Sequence, residues 1–281
     1  MPLIDPARLQ SGLGHHAGRF NVEAVDECDS TSSELLRRAD HGAPVGTVIV
    51  ADRQSAGRGR RGRPWLSAPD ASLTFSLLWR FYGPPGQLAG LSLAVGVALA
   101  KSLERLGAQG IRLKWPNDVL LERAGSFAKL AGILVELASD RRGTQAIIGI
   151  GLNLLPPAGD LPQPAAGLAQ AMSQMPERHA VLAAILQALA EVLEAFAVDG
   201  FSGTKMEWQQ RHAWQGLAVQ LLGDDAAPID GICRGADDDG ALLLETGTGV
   251  QRILSGDVSL RPVPRGDLLR GAGSTLGVRR A

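Results

Sequence analysis

The chain has 281 residues, enough for one large domain or two unequal ones, and 45% of them are apolar, ample for an ordinary packed core. Its 28 basic residues balance 29 acidic ones, which argues against a general nucleic-acid or membrane-surface binder, although a local basic cluster is present. Two distant cysteines, Cys28 and Cys233, make neither a disulfide framework nor a zinc site and are read as reduced and structural. The start shows no basic region followed by an apolar core, so no secretory signal is expected. The longest apolar stretches, 88–99 and 180–190, are broken by polar residues or glycine and read as too short to span a bilayer. A soluble, cytoplasmic protein without membrane contact is the expectation.

In chain order, residues 20–26 predict a short strand and 31–40 a helix, capped by the Ser30-Thr31 pair with Glu34 three residues after Thr31. His15-His16 before them read as a loose terminus. Residues 46–51 (GTVIVA) predict a buried strand, 52–71 a loop dense in Gly, Arg and Pro, and 72–80 a further strand. Apolar residues at 88, 91, 95, 99 and 103 predict an amphipathic helix over 87–106. Four strands follow at 111–114, 119–121, 131–137 and 145–152, then a connector with Pro156, Pro157, Pro162 and Pro164, then helices near 176–198 and 203–213. The irregular alternation predicts an α+β fold with a mixed sheet, not a doubly wound one. After Trp214 the texture changes to short strands at 217–222, 229–234, 241–245, 250–254 and 258–261, with a hairpin signal at Asp237-Asp238-Asp239-Gly240. Domains are therefore expected at 1–215 and 216–264, with a disordered tail over 265–281.

The segment Gly57-Arg58-Gly59-Arg60-Arg61-Gly62-Arg63-Pro64-Trp65 formally satisfies G-x-G-x-x-G. It is not a dinucleotide fingerprint: that motif needs a strand-to-helix turn, and here Pro64-Trp65 leads towards a strand. The alternative is a loop whose glycines bring backbone N–H groups to an anion while guanidinium forks grip phosphate oxygens, ordering around its ligand. A solvated basic loop and an RNA-binding patch are the competing readings.

Lys114-Trp115-Pro116-Asn117-Asp118 sits between two strands. Its amide can read a purine edge and its carboxylate can hold Mg²⁺ bridging phosphates; alternatively it is a plain tight turn. Lys129 opens an otherwise apolar strand, where it either snorkels or meets a carboxylate and a phosphate. Two glycines in Gly149-Ile150-Gly151-Leu152-Asn153 suggest close approach of a ligand or another backbone.

Together, Asp29-Ser30-Thr31-Ser32-Ser33, Gln54 with the Arg-Gly loop and Trp65, Lys114 to Asp118, Lys129-Leu130-Ala131-Gly132-Ile133-Leu134-Val135-Glu136 and Gly149-x-Gly151-x-Asn153 resemble the biotin protein ligases in content, order and spacing. The likeness continues at Arg234-Gly235, 240–245 and 256–261. It implies a mixed-sheet catalytic domain of the biotin/lipoate ligase type and a C-terminal SH3-like barrel. It further implies activation of biotin with ATP to biotinyl-5'-AMP and transfer to a lysine of a biotin carboxyl carrier protein or domain. By position, Ser30, Thr31, Ser32, Gln54, Gly57, Arg58, Gly59, Arg60, Lys129 and Gly132 would bind biotin. Arg58, Arg60, Arg61, Trp65, Asn117, Asp118, Lys129 and Asn153 would serve ATP. Lys129 and Arg58 would be catalytic, and Asp118 would hold Mg²⁺. Ser32 stands where the family often has Asn, so a hydrogen bond to the ureido group is forgone or replaced by water, an effect on affinity. The expected first strand begins at residue 20, which leaves no room for the winged-helix domain some ligases carry, and DNA binding is not expected. The acceptor's identity and homodimer formation are left open. The rivals are a lipoate-protein ligase, a nucleotide- or RNA-binding module, and an inactive paralogue that binds biotin.

Overall fold

The computed structural model describes residues 3–159, 161, 163–223, 227–254 and 258–262. The expected tail at 265–281 and part of the 256–261 motif lie outside them.

At the front, Asp5 accepts from the N–H of Ala7 at 2.9 Å and Pro6 takes the first helical position, so the chain turns at once into α1 (Pro6–Gly12). Ile4, Leu9 and Leu13 are buried, and a 3₁₀ turn over Gly14–Arg19 buries His16. The loose terminus expected at His15-His16 is therefore an ordered segment. The apolar residues at 4, 9 and 13 supply the buried face that holds it.

β1 (Asn21–Cys28) and β2 (Thr47–Gln54) pair in parallel across the helix α2 (Thr31–Asp40). β3 (Ser72–Phe81) pairs antiparallel with β2. The helix expected over 87–106 is divided: Pro85–Leu88 is a 3₁₀ turn, Gly90 adopts φ +79°, and α3 runs over Leu91–Arg105. β4 (Ile111–Lys114), β5 (Asp118–Arg123), β6 (Ser126–Asp140) and β7 (Gly143–Asn153) complete a seven-stranded mixed sheet in the order β1-β2-β3-β7-β6-β5-β4. α4 (Arg178–Asp199) and α5 (Lys205–Arg211) follow.

Strand periodicity sorts the sheet into two faces. On one face, Ile49, Leu78 and Ile147 pack with Leu35 and Ala39 of α2. On the other, Ile133 and Leu113 lie against α3 at Gly96. The segments Pro85–Arg105 and Arg178–Gly203 are long and apolar enough to cross a membrane, longer than the broken stretches suggested. Both are mostly buried, and α3 and α4 pack on each other, as core helices do.

Two compact units result: residues 1–213 with 238–240, and 214–237 with the described residues from 241 on. The second holds β8 (Ala218–Gly223), β9 (Ile229–Ala236), β10 (Leu242–Thr246), β11 (Gly249–Ile253) and β12 (Val258–Pro262), all antiparallel in the order β11-β10-β9-β8-β12. Gly240, at φ +79°, lies in the expected turn between β9 and β10.

Candidate active site

The cleft is floored by missing side chains. Thr74 of β3, Gly151 of β7, Gly132 of β6 and Asp118 of β5 are cross-strand partners in one row. Ser76, Gly149 and Leu134 form the next row on the same face. A Cβ on Gly151 would overlap the Trp65 indole, and one on Gly149 would meet the Ser32 hydroxyl. A Cβ on Gly132 would come within 3.2 Å of Lys129 Nζ and 3.3 Å of the Trp65 ring. Glycine is required here because other groups lie directly on the backbone.

The rim comes from three segments. The first turn of α2 brings Ser30, Thr31 and Ser32, all buried. The expected cap is absent: Ser30 makes no side-chain cap hydrogen bond, and Glu34 turns to Arg37 and Arg38. The Thr31 hydroxyl contacts Gln54 Oε1 at 3.2 Å and Ser76 Oγ at 2.8 Å. These hydroxyls serve the cleft in place of the helix end. The Ser32 Oγ lies 3.0 Å from Ser76 Oγ.

The Arg-Gly loop is the second segment. Gly59 N–H donates to the Arg63 carbonyl at 2.8 Å, and Trp65 N–H to the Gly57 carbonyl at 2.8 Å, closing the loop on itself. Arg58 donates to Ser33 Oγ at 2.9 Å and pairs with Glu136, while Arg60 donates to Asn117 Oδ1 at 3.2 Å. Arg61 adopts φ +61°, an unfavourable conformation for a residue with a Cβ. Trp65 lies on the glycine floor with Lys129 Nζ 5.6 Å from its ring centroid. Its Nε1 is buried without a hydrogen-bond partner.

Lys129 reaches the cleft through a strand irregularity. Val119 pairs with Ala131 but Leu120 pairs with Lys129, so a register shift leaves Leu130 as the extra residue of a bulge. Without the bulge Leu130 would share the face of Gly132; with it, Lys129 does. The segment after the prolines adds to this edge: Lys129 N–H donates to the Pro164 carbonyl at 2.8 Å and Ala166 N–H to the Lys129 carbonyl at 2.9 Å. Asn153 Nδ2 donates to the Ala166 carbonyl at 3.1 Å, bracing that strip.

Asp118 joins the charged groups. Its Oδ1 is 2.7 Å from Lys129 Nζ and its Oδ2 3.4 Å from Lys114 Nζ. Burial would raise its pKa, but the ammonium groups of Lys129 and Lys114 more than offset this and hold the carboxyl below its ordinary value. As a resident metal site this arrangement does not fit. The carboxylate is committed to two cations, and no three His, Cys, Asp or Glu side chains cluster suitably among the described residues.

The resulting cleft opens to solvent, and the roughly 440 Å³ of empty space between its walls includes the solvent at its mouth. Ser30, Thr31, Ser32, Gln54, Arg58, Gly59, Arg60, Trp65, Asn117, Lys129 and Gly132 line it. Gly57, Arg61, Asp118 and Asn153 are not among its lining residues. Thr74, Ile133, Leu134 and Ile150 line it without having been singled out from sequence, and Ser76 lies beneath it. The signal for Thr74 and Leu134 was the alternation along β3 and β6, which assigns a face only once the register is known, whereas Ile133 and Ile150 alternate onto the opposite face and carried no such signal.

Such a cleft, with hydroxyls and an amide at one end and cationic groups along the side, defines a domain that holds a polar-headed small molecule beside an anion. The chain belongs to the biotin/lipoate A/B protein ligase family, whose model matches residues 27–153, and residues 216–261 match the biotin protein ligase C-terminal domain. It is 36% identical to the bifunctional ligase/repressor BirA of Escherichia coli K12 over 86% of this chain and 74% of that one. It is 33% identical to the biotin–[acetyl-CoA-carboxylase] ligase of Mycobacterium tuberculosis, over 92% of this chain and 96% of that one. The biotin protein ligase of Aquifex aeolicus, solved with biotin and ATP, superposes with a TM-score of 0.72 at 32% identity, over 86% of this chain and 99% of that one.

Proposed function

We propose that this chain is a biotin protein ligase, activating biotin with ATP and passing the biotinyl group to a lysine of a biotin carboxyl carrier domain. The observation that carries this is the glycine-floored cleft with the Ser-Thr-Gln cluster and Lys129 both in its lining. Ser30, Thr31, Ser32 and Gln54 satisfy the ureido ring, and the bare backbone of Gly132, Gly149 and Gly151 lets Trp65, Lys129 and Ser32 sit low in the cleft, beside the bicyclic body and valerate chain. Gly57 and Gly59 shape the loop beside it. Arg58, Arg60 and Lys129 face the biotin carboxylate and the α-phosphate. Arg61, Asn117, Asp118 and Asn153 complete the nucleotide side, and Trp65 covers the reacting centre.

The chemistry follows from these charges. A carboxylate oxygen of biotin attacks the α-phosphorus in line, the bond to the β-phosphate oxygen breaks, and pyrophosphate leaves. Lys129 and Arg58 exchange their present partners, Asp118 and Glu136, for the oxygens on which negative charge develops. Mg²⁺ enters as the counter-ion of ATP. The mixed anhydride is kept from water under the Arg-Gly loop. A neutral acceptor amine then attacks the carbonyl carbon, AMP departs, and the amine's surplus proton is lost. The reaction belongs to the cytoplasm, where ATP and reduced cysteines are found.

The test is pyrophosphate release with MgATP and either biotin or lipoate, followed by mass analysis of a carrier domain. Biotin-dependent release and one added biotinyl group are expected. Release with lipoate alone would assign the chain to the sister activity, and binding of biotin without release would make it a binder only.

A further inference from the structure

The hydroxyls beneath the cleft form a chain whose proton directions follow from a single backbone group. The N–H of Thr31 lies 2.8 Å from the Gln54 side chain and can only donate, so the amide atom facing it is Oε1. Thr31 Oγ1 is 3.2 Å from the same oxygen. In this buried place two facing lone pairs would repel, so the Thr31 proton points to Gln54. None remains for Ser76, 2.8 Å away, so Ser76 donates to Thr31. Ser76 then has none for Ser32, 3.0 Å away, so Ser32 donates to Ser76. Three protons run one way, from Ser32 through Ser76 and Thr31 to Gln54. Thr31 and Ser32 are left with lone pairs only, while Gln54 keeps its amide N–H groups.

We propose that Ser76, fully buried on β3 and outside the cleft lining, is a positioning residue that sets this polarity and makes the cleft selective for a ring with N–H donors flanking a carbonyl. The proposal rests on the biotin reading: the ureido N–H groups meet the acceptors of Ser32 and Thr31, and its carbonyl meets donors such as Gln54 Nε2. Without Ser76 the Ser32 hydroxyl rotates freely and presents donor or acceptor alike.

The experiment uses the full chain with Ser76→Ala and Ser76→Cys, the first slightly smaller and the second slightly larger, with only a weak donor. Calorimetry gives Kd for biotin and for biotin methylated at a ring nitrogen, and pyrophosphate release gives kcat. Both variants are expected to bind biotin roughly 5–10-fold more weakly, the loss of about one hydrogen bond. The kcat at saturation stays within about twofold, and the preference for biotin over the methylated analogue shrinks severalfold, because the freed Ser32 no longer opposes a missing donor. Unchanged biotin affinity in both variants overturns the proposal. So does equal weakening of both ligands together with a fall in kcat, which marks general damage. Failure of the wild-type chain to bind biotin would instead sink the functional reading.

Discussion

Lys129 shows how a costly residue becomes usable. Its ammonium is tolerated beside an apolar strand because Asp118 lies 2.7 Å away, and Asp118 keeps Lys114 as a second partner. Lys129→Ala therefore leaves the buried carboxylate paired and the fold intact, while biotin-dependent pyrophosphate release falls by about 100-fold or more. Thermal unfolding alongside the assay checks both halves, and wild-type-like turnover would remove the role given to this lysine. At Gly151 the deciding factor is space. Because a Cβ there overlaps the Trp65 indole, Gly151→Ala must lift the ring from the floor, and biotin affinity measured by calorimetry is expected to drop at least tenfold, about 1.4 kcal/mol. Arg61 holds φ +61°, where glycine is at ease. Arg61→Gly is expected to leave the melting temperature unchanged or raised while KM for ATP increases, separating a strained ligand-facing residue from a structural one.

Among the elements, α5 ends in a pH-sensitive contact. His212, at its C-terminal cap, stacks on Trp208 with ring centroids 4.5 Å apart, and burial drives its pKa down to about 3. The unfolded chain takes up a proton near the ordinary value of 6.5 that the folded chain refuses, so this group favours unfolding progressively as pH falls below 6.5. At pH 5 the difference is about 2 kcal/mol relative to neutral pH. Denaturant titrations at pH 7 and pH 5 should show it in the wild type and much less of it in His212→Phe; equal slopes in both would dissociate the acid sensitivity from this residue. The start of α2 carries a related lesson. Ser30, Thr31 and Glu34 look like a capping box along the chain, yet the Thr31 hydroxyl meets Gln54 and Ser76 from neighbouring strands, and the Thr31 N–H donates to the Gln54 side chain in place of a cap from within the segment.

For the molecule as a whole, near-zero net charge with arginines gathered in one loop predicts local, not global, electrostatics. Raising salt from 50 to 200 mM should change KM for MgATP by less than about tenfold, whereas a protein neutralising many phosphates of a polynucleotide would lose about a thousandfold or more in affinity. A steep dependence would revive the RNA-binding reading. Periodicity and turn residues were sufficient along the chain for the α+β class, the position of most elements and the small β unit, because each depends on neighbours within a few residues, whereas the cleft residues were expected only through the resemblance of their motifs to a family. Only the tertiary structure decided the rest. The bulge at Leu130 that turns Lys129 to the cleft depends on the register of β5 against β6. The row of Thr74, Gly151, Gly132 and Asp118 spans four strands distant in sequence. The polarity of the Ser32–Ser76–Thr31–Gln54 chain exists only where three elements meet, since a hydroxyl has no direction until its partners are in place.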